Sequence, residues 1–563
     1  MAKKFGIVLA FALTAAGVAG SALASTDVPS VPGARLVGMR RITQDQYRQI
    51  IADVFGKTIK LGGRFEPDQR DAGLLAVGAS QVSVTASGFE QYDDMARAIA
   101  AQVVDEQHRS VTVPCIPRSV QATDDACAGK FLGSVGRMLY RRPLSQRELA
   151  AEVKIASDVA DRLHDFYAGL SMALTGMLES AQFLFRQEVA TADAGDPSHL
   201  ALDSYSKATR LSFLLWNSGP DPLLLDAAEH GELNTTAGLS KQVDRMLASP
   251  RLVSGVRAFF ADMLGFTAFE GLAKDPVLYP KFSARVAADA QEQTLRTIVD
   301  LLLRQNGDYR DLFTTQTTFL TPLLGAIYKI PLTTPDDLPD GWVRYEFPQA
   351  AGQAGIITQA SFVALHSQPG RSSPTVRGKA LREVLLCQKV PDPPGNVNFA
   401  LVQDTSNPAY KTARQRLTAH RSEATCAGCH KIMDPIGLAL ENFDTTGAFR
   451  SLENGMPIDV SGEIDGLKFA NAQELGKAIH DNPAATACIV NRMYSYGIGR
   501  SATKEESSWL HTNLSKDFAS GGYEIKALLR AMATSDQFYR VTKPEIRAET
   551  PASSRLAFEG EHK

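Results

Sequence analysis

Neither sign of charge is in large excess in this chain. Its 563 residues hold 59 Lys and Arg against 62 Asp and Glu, a formal net charge of −3, which leaves no electrostatic case for nucleic acid or an acidic membrane surface. Beyond the N-terminus no apolar run is long enough to span a bilayer. There is no GxSxG, no HExxH and no glycine-rich phosphate loop, so the usual signatures of a serine hydrolase, a zinc protease and a nucleotide-binding enzyme are absent. Cysteine is scarce too, at six residues, far too few for a disulfide-dense scaffold. Any pattern those six form is therefore informative.

What is present begins at the N-terminus. Lys3 and Lys4 precede the apolar stretch FGIVLAFALTAAGVAGSALA, which ends in Ala22-Leu23-Ala24 ahead of Ser25. A basic start, a hydrophobic middle and a small-x-small ending read as a secretory signal peptide over 1–24 with cleavage after Ala24. An uncleaved anchor is the alternative. The first cysteine is Cys115, so no lipid-anchoring cysteine follows the signal. The mature chain is expected to be periplasmic or secreted, with no membrane span.

The whole chain, at 44% hydrophobic and 21% charged residues, has the composition of a soluble globular protein, and it exceeds what one core usually fills. Helical periodicity dominates. In ITQDQYRQIIADVFG, Ile42, Tyr47, Ile50, Ile51 and Val54 share a side, with Thr43 as N-cap and Gly56 as stop. Ser145 with Glu148 three residues on reads as a capping box after Pro143. Gly219-Pro220-Asp221-Pro222 breaks another helical pair. Strand signals are few, so the chain up to about residue 330 is expected to be all-α. The reading is mainly α and multi-domain: an N-terminal helical region (25–195), a second helical domain (196–335), a Pro- and Gly-rich connector (336–400), a compact unit (401–545) and a disordered tail (546–563).

Within that compact unit, ATCAGCHKIMDP sets Cys426, Cys429 and His430 in a Cys-x-x-Cys-His run. Covalent haem requires this arrangement: two thiols add to the two vinyl groups, and the adjoining histidine gives iron its proximal nitrogen. Zinc would need a second ligand pair at short spacing, whereas Cys387 and Cys488 are isolated. A redox dithiol would open a helix after a strand in a βαβ unit, and that context is missing. A plain disulfide is the remaining alternative. Haem c on Cys426, Cys429 and His430 is the leading expectation, which makes 401–545 a helical, cytochrome-c-like haem domain.

Four cysteines then remain. In an oxidising compartment they are expected to pair, Cys115 with Cys127 and Cys387 with Cys488, although four cysteines allow three pairings. For the other face of the iron Met493 is the candidate ahead of Met456, against core filling for either methionine and an open or His-ligated iron; Met433 lies too near His430 to reach across. His366, His420 and His480 read as surface or structural histidines. Arg371, Arg377 and Lys379 are candidates for the haem propionates, because guanidinium matches carboxylate in two-pronged geometry; surface solvation is the alternative. Asp434-Pro435 is expected to end the motif helix, with Gly437 permitting a reversal. Glu441, Asp444 and Arg450 form either an ion-pair set or three solvated charges.

The segment CAGCHKIMDPIGLALENFDTTGAFR resembles the haem segment of large exported bacterial cytochrome-c-like proteins built from a string of five consecutive domains of unknown function. In those, CxxCH is followed by Met-Asp-Pro and a Leu-Glu-Asn-Phe-Asp run. RRITQDQYRQIIADVFG is similar to the first member of the string, MLYRRPLSQRE to the second and ATRLSFLLWNSGPDPLLLDAA to the third. AGIITQASFVALHSQPGRSSPTVRGKALREVLLCQKVPDPP leads into the fourth, and IDVSGEIDG, YSYGIGR and SDQFYR resemble the fifth. The resemblance implies an exported, helical c-type haem protein and names no substrate. The function expected is electron transfer between a periplasmic oxidoreductase and the respiratory chain, through a redox partner protein. A haem enzyme with an open distal site, of peroxidase or oxygenase type, and a non-catalytic binding protein carrying haem are the alternatives. Size argues against a simple shuttle, since a small cytochrome needs only about one hundred residues.

Overall fold

The computed structural model describes residues 34–193, 199–332, 340–391, 404–405, 407–420 and 424–541. The signal segment 1–24, the cleavage point after Ala24 and the tail 546–563 lie outside them.

Helices dominate, and several begin where short-range chemistry places them. Thr43 accepts from the Gln46 N–H while the Gln46 side chain reaches back to the Thr43 N–H, and the helix Gln44–Phe55 stops at Gly56, whose φ is 95°. Ser145 and Glu148 close a second such box on Gln146–Leu163. Asp221 caps Pro222–Glu229, with proline in the first turn where its missing N–H costs nothing.

The apolar faces of these helices form two cores. One gathers helices between Ile42 and Leu184 around Tyr47, Phe131, Leu132 and Leu174, and the disulfide Cys115–Cys127 lies within it. The other runs from Leu74 to Tyr539, with Trp216, Phe260, Phe313, Phe443 and Tyr494 at its centre. The 401–545 segment therefore shares its core with the helices that precede it. Ala472–His480 packs on the turn Tyr309–Phe313, and Ile525–Ala533 packs on Thr236–Leu247. The disulfide Cys387–Cys488 staples this second core across 101 residues.

The first part of the chain is not wholly helical, which corrects the all-α expectation for it. Strand β1 (Arg35–Arg41) pairs antiparallel with β2 (Phe185–Ala192), β2 with β3 (Leu200–Leu202), and β3 with β4 (Arg540–Val541). A separate two-stranded antiparallel sheet pairs Thr317–Leu320 with Val343–Glu346. The sequence of β1, RLVGMRR, carries little strand signal because charge occupies the positions facing inward. Arg40 and Arg210 both grip Glu188 of β2, the latter at 2.6 Å. Burial alone would raise the Glu188 carboxyl, but the two arginines hold it well below the usual carboxylate range.

Candidate functional site

Cys426, Cys429 and His430 lie on one helix, Ala424–Leu438. A spacing of three puts the two cysteines on one face, and a spacing of four stacks His430 on Asp434 one turn later. The Cys429 thiol is free and half-buried; the side chains of Cys426 and His420 lie outside the described residues. His430 Nδ1 stands 3.0 and 2.9 Å from the two carboxylate oxygens of Asp434. A carboxylate accepts, so in the neutral ring Nδ1 carries the proton and Nε2 the lone pair. Asp434 is wholly buried, and Thr375 Oγ1 donates to its Oδ1 at 2.9 Å.

Contrary to the expected break at Asp434-Pro435, the helix continues through Pro435 to Leu438. Packing overrides the local signal. The helix lies backbone against backbone on Pro374–Ala380. A Cβ on Gly378 would fall 2.0 Å from the Met433 carbonyl, and one on Gly437 would fall 1.8 Å from the Pro374 carbonyl. Gly437 therefore serves a close helix contact rather than a reversal. Arg382 Nε donates to the Ile432 carbonyl at 3.1 Å, in the turn where proline removes a helical donor. The same contact seals Asp434 from water and delivers Thr375 to it.

Arg377 has a different task from the propionate binding expected of it. It is fully buried, and its guanidinium donates to the carbonyls of Leu440, Phe443 and Asp444, each at 2.8 Å, with Glu441 at 3.5 Å. Desolvation brings it down to about 10. It clamps the loop after the motif helix and has no donors to spare. Glu441 is buried as well and pairs with Arg450 at 2.9 Å, whereas Asp444 caps the turn by accepting from the Thr446 and Ala448 N–H groups. Lys379 faces Glu383 at 3.9 Å. Arg371 is half-buried, and its guanidinium makes no hydrogen bond or ion pair among the described residues.

The methionines and remaining histidines are dispersed. Met493 is 2% exposed in the larger core, on the helix Pro483–Ile498, which packs chiefly on Leu74–Gly78, Ser204–Trp216 and Leu510–Leu514 rather than on the motif helix. Met456 is exposed in a short hairpin. His480 pairs with Asp481 and Asp311 at the surface. Burial presses His366 down to about 4, helped by Arg377 and Lys274. Among the described residues no three His, Cys, Asp or Glu side chains converge as a metal site.

Five families match in succession, each described as a protein of unknown function: DUF1587 over 40–105, DUF1595 over 127–188, DUF1592 over 202–330, DUF1588 over 353–453 and DUF1585 over 465–538. The chain is a string of these five domains. No curated protein and no solved structure matches it. In this five-domain string the Cys-x-x-Cys-His helix falls inside DUF1588. The five matches fold onto two cores: the first two supply the smaller, and the last three supply most of the larger. The residue that motif reading undervalues is Asp434, taken there only as a helix stop; its spacing of four from His430 is the signal that finds it. Thr375, 59 positions upstream of Asp434, leaves no such signal.

Proposed function

We propose that Cys426, Cys429 and His430 hold one covalently attached haem c, and that this exported protein transfers electrons between a periplasmic oxidoreductase and the respiratory chain. The observation that carries the reading is the His430–Asp434 pair. A metal-ligating histidine donates its second nitrogen to a carboxylate or carbonyl, which fixes the tautomer and the ring orientation. The donor set fits the group: a free thiol at Cys429 and a carboxylate-held imidazole sit side by side on one helix. Bound there, haem would supply a one-electron iron couple. His430 would take the proximal position through Nε2, Asp434 orients the ring, and Thr375 orients Asp434. Arg371, alone of the three basic candidates, keeps a guanidinium ready for a propionate. Two disulfides support export, and among the described residues no helix is long and apolar enough to cross a membrane. The short name of the family matched over 353–453, PSCyt3, is in keeping with a cytochrome role.

Expression in a host with haem-attachment machinery tests this reading. Wild type should carry haem through a denaturing gel stained for peroxidase activity, and Cys426→Ala or Cys429→Ala should lose it. Wild type without covalent haem overturns the proposal.

A haem enzyme with an open distal face is the second reading, favoured by the burial of Met493 in a core built around other helices. Carbon monoxide separates the two. A closed site with Met493 as ligand excludes it until Met493→Ala opens the iron, while an open site admits it in the wild type.

A further inference from the structure

A cavity of about 580 Å³ lies between the two cores, away from the motif helix. Ligand sites of roughly 300–1,000 Å³ favour such junctions. Its lining comes from the smaller-core side through Gln46 and Asp68, and from the larger through Asn217, Asp262, Phe266 and Tyr496.

Asn217 supplies the first chemical signal. It ends the helix Ser204–Trp216 in the left-handed conformation, φ 54°, and only 7% of it is exposed. Its Oδ1 accepts from Gln46 Nε2 at 3.0 Å and from the Tyr496 hydroxyl at 3.3 Å. Its Nδ2 hydrogens, by contrast, meet no acceptor among the described residues, and the nitrogen itself keeps an opening to solvent. Both donors are thus open to an acceptor that enters the cavity.

The acids supply the second signal. Asp68 and Asp262 face the cavity already neutralised, by Arg41 at 3.1 Å and Arg70 at 2.9 Å. A cation would therefore gain little from them. Asp45 and Arg48, also on the lining, pair with each other at 3.7 Å, and Glu270, exposed there with no partner among the described residues, disfavours an anion. Phe266 and the alanines at 258 and 261 provide an apolar wall.

We propose that this cavity binds a neutral polyhydroxylated ligand, a carbohydrate. A hydroxyl both accepts and donates, so one ligand answers the Asn217 donors and the carboxylate acceptors together. The C–H faces of a sugar ring suit the aromatic and alanine wall. The inference stands independently of haem at Cys426 and Cys429.

Calorimetric titration of the full chain decides it. Of maltotriose, cellotriose, xylotriose and chitotriose, at least one should bind saturably, while spermine and citrate should not. Asn217→Asp keeps the acceptor for Gln46 and Tyr496 and tolerates the left-handed backbone, but it removes both donors; it should weaken binding about tenfold or more with the melting temperature unchanged. Ala261→Trp should fill the cavity and abolish binding while leaving the absorbance spectrum intact. The proposal is overturned if none of the four sugars binds, if spermine binds in their place, or if Asn217→Asp binds as well as wild type. Should Asn217→Asp fail to fold, sugar binding that survives Ala261→Trp overturns it instead.

Discussion

Each of the two cores carries a disulfide and a buried arginine that clamps backbone carbonyls, yet the two sets differ in reach. In the smaller core Cys115 and Cys127 are 12 residues apart, and Arg141 donates only to carbonyls, those of Leu139, Gln182, Phe183 and Phe185, at 2.6 to 3.3 Å. In the larger core Cys387 and Cys488 are 101 residues apart, and Arg377 grips a loop more than 60 residues away with a carboxylate beside it. The smaller core is local helical packing made durable. The larger is assembled from distant pieces, and the motif helix is held in place by what those pieces supply. A site that depends on long-range contacts is predicted to fail when they fail.

Removing each disulfide tests that difference most strongly. By loop entropy the 101-residue bridge contributes about 4.7 kcal/mol and the 12-residue bridge about 3 kcal/mol. Denaturant titration of the paired Cys→Ser variants should show the larger loss for Cys387 and Cys488. Equal losses would erase the contrast. Next is Arg377→Leu, which strands three carbonyls and weakens the support of buried Glu441; it should cost about 3–5 kcal/mol. Hydrogen exchange should then rise over 424–444, whereas Arg141→Leu should loosen 139–185 and leave the motif helix protected.

A smaller effect is expected at the histidine. In holoprotein Asp434→Asn should shift the iron couple about tenfold toward reduction, or about 59 mV, because the carboxylate makes His430 a stronger donor. Thr375→Val should move the potential the opposite way, since Asp434 loses a competing hydrogen bond. A potential unchanged in both variants would reduce Asp434 to a packing residue.

The smallest effect is a pH response of opposite sign in the two cores. Burial, with Glu148 nearby, pushes Glu152 up to about 7 from 4.5. Its contribution is full below pH 4.5 and is lost as pH rises through 7. His366 is pressed down to about 4 from 6.5, so its contribution is full above pH 6.5 and is lost as pH falls through 4. Hydrogen exchange followed from pH 7 to 4.5 should slow in Gln146–Leu163 and quicken in Ala360–Leu365, by about 1 kcal/mol each. Glu152→Gln and His366→Gln should each flatten one response only.

Sequence by itself determined whatever depends on a few adjacent residues. The capping boxes at Thr43 and Ser145, the breaks at Gly56 and Pro222 and the Cys-x-x-Cys-His spacing are all set within one or two helical turns, and the short disulfide follows from scarce cysteines in a chain expected to be exported. Tertiary structure alone decided the rest. β1 finds its partner about 150 residues on, where Glu188 satisfies the inward Arg40, while Glu66 and Asp68 satisfy Arg41. The helix crosses Pro435 because burying Ile436 and Leu438, at about 1.5–3 kcal/mol each, offsets a proline cost of about 3 kcal/mol. Arg377 becomes a clamp because burial leaves it carbonyls, the Ser367 hydroxyl and Glu441 to bond. Asp434 turns from a helix stop into the support of His430 once Gly378 and Gly437 let two backbones touch. Local propensities amount to about one kcal/mol per residue, and contacts between distant segments outweigh them wherever the two disagree.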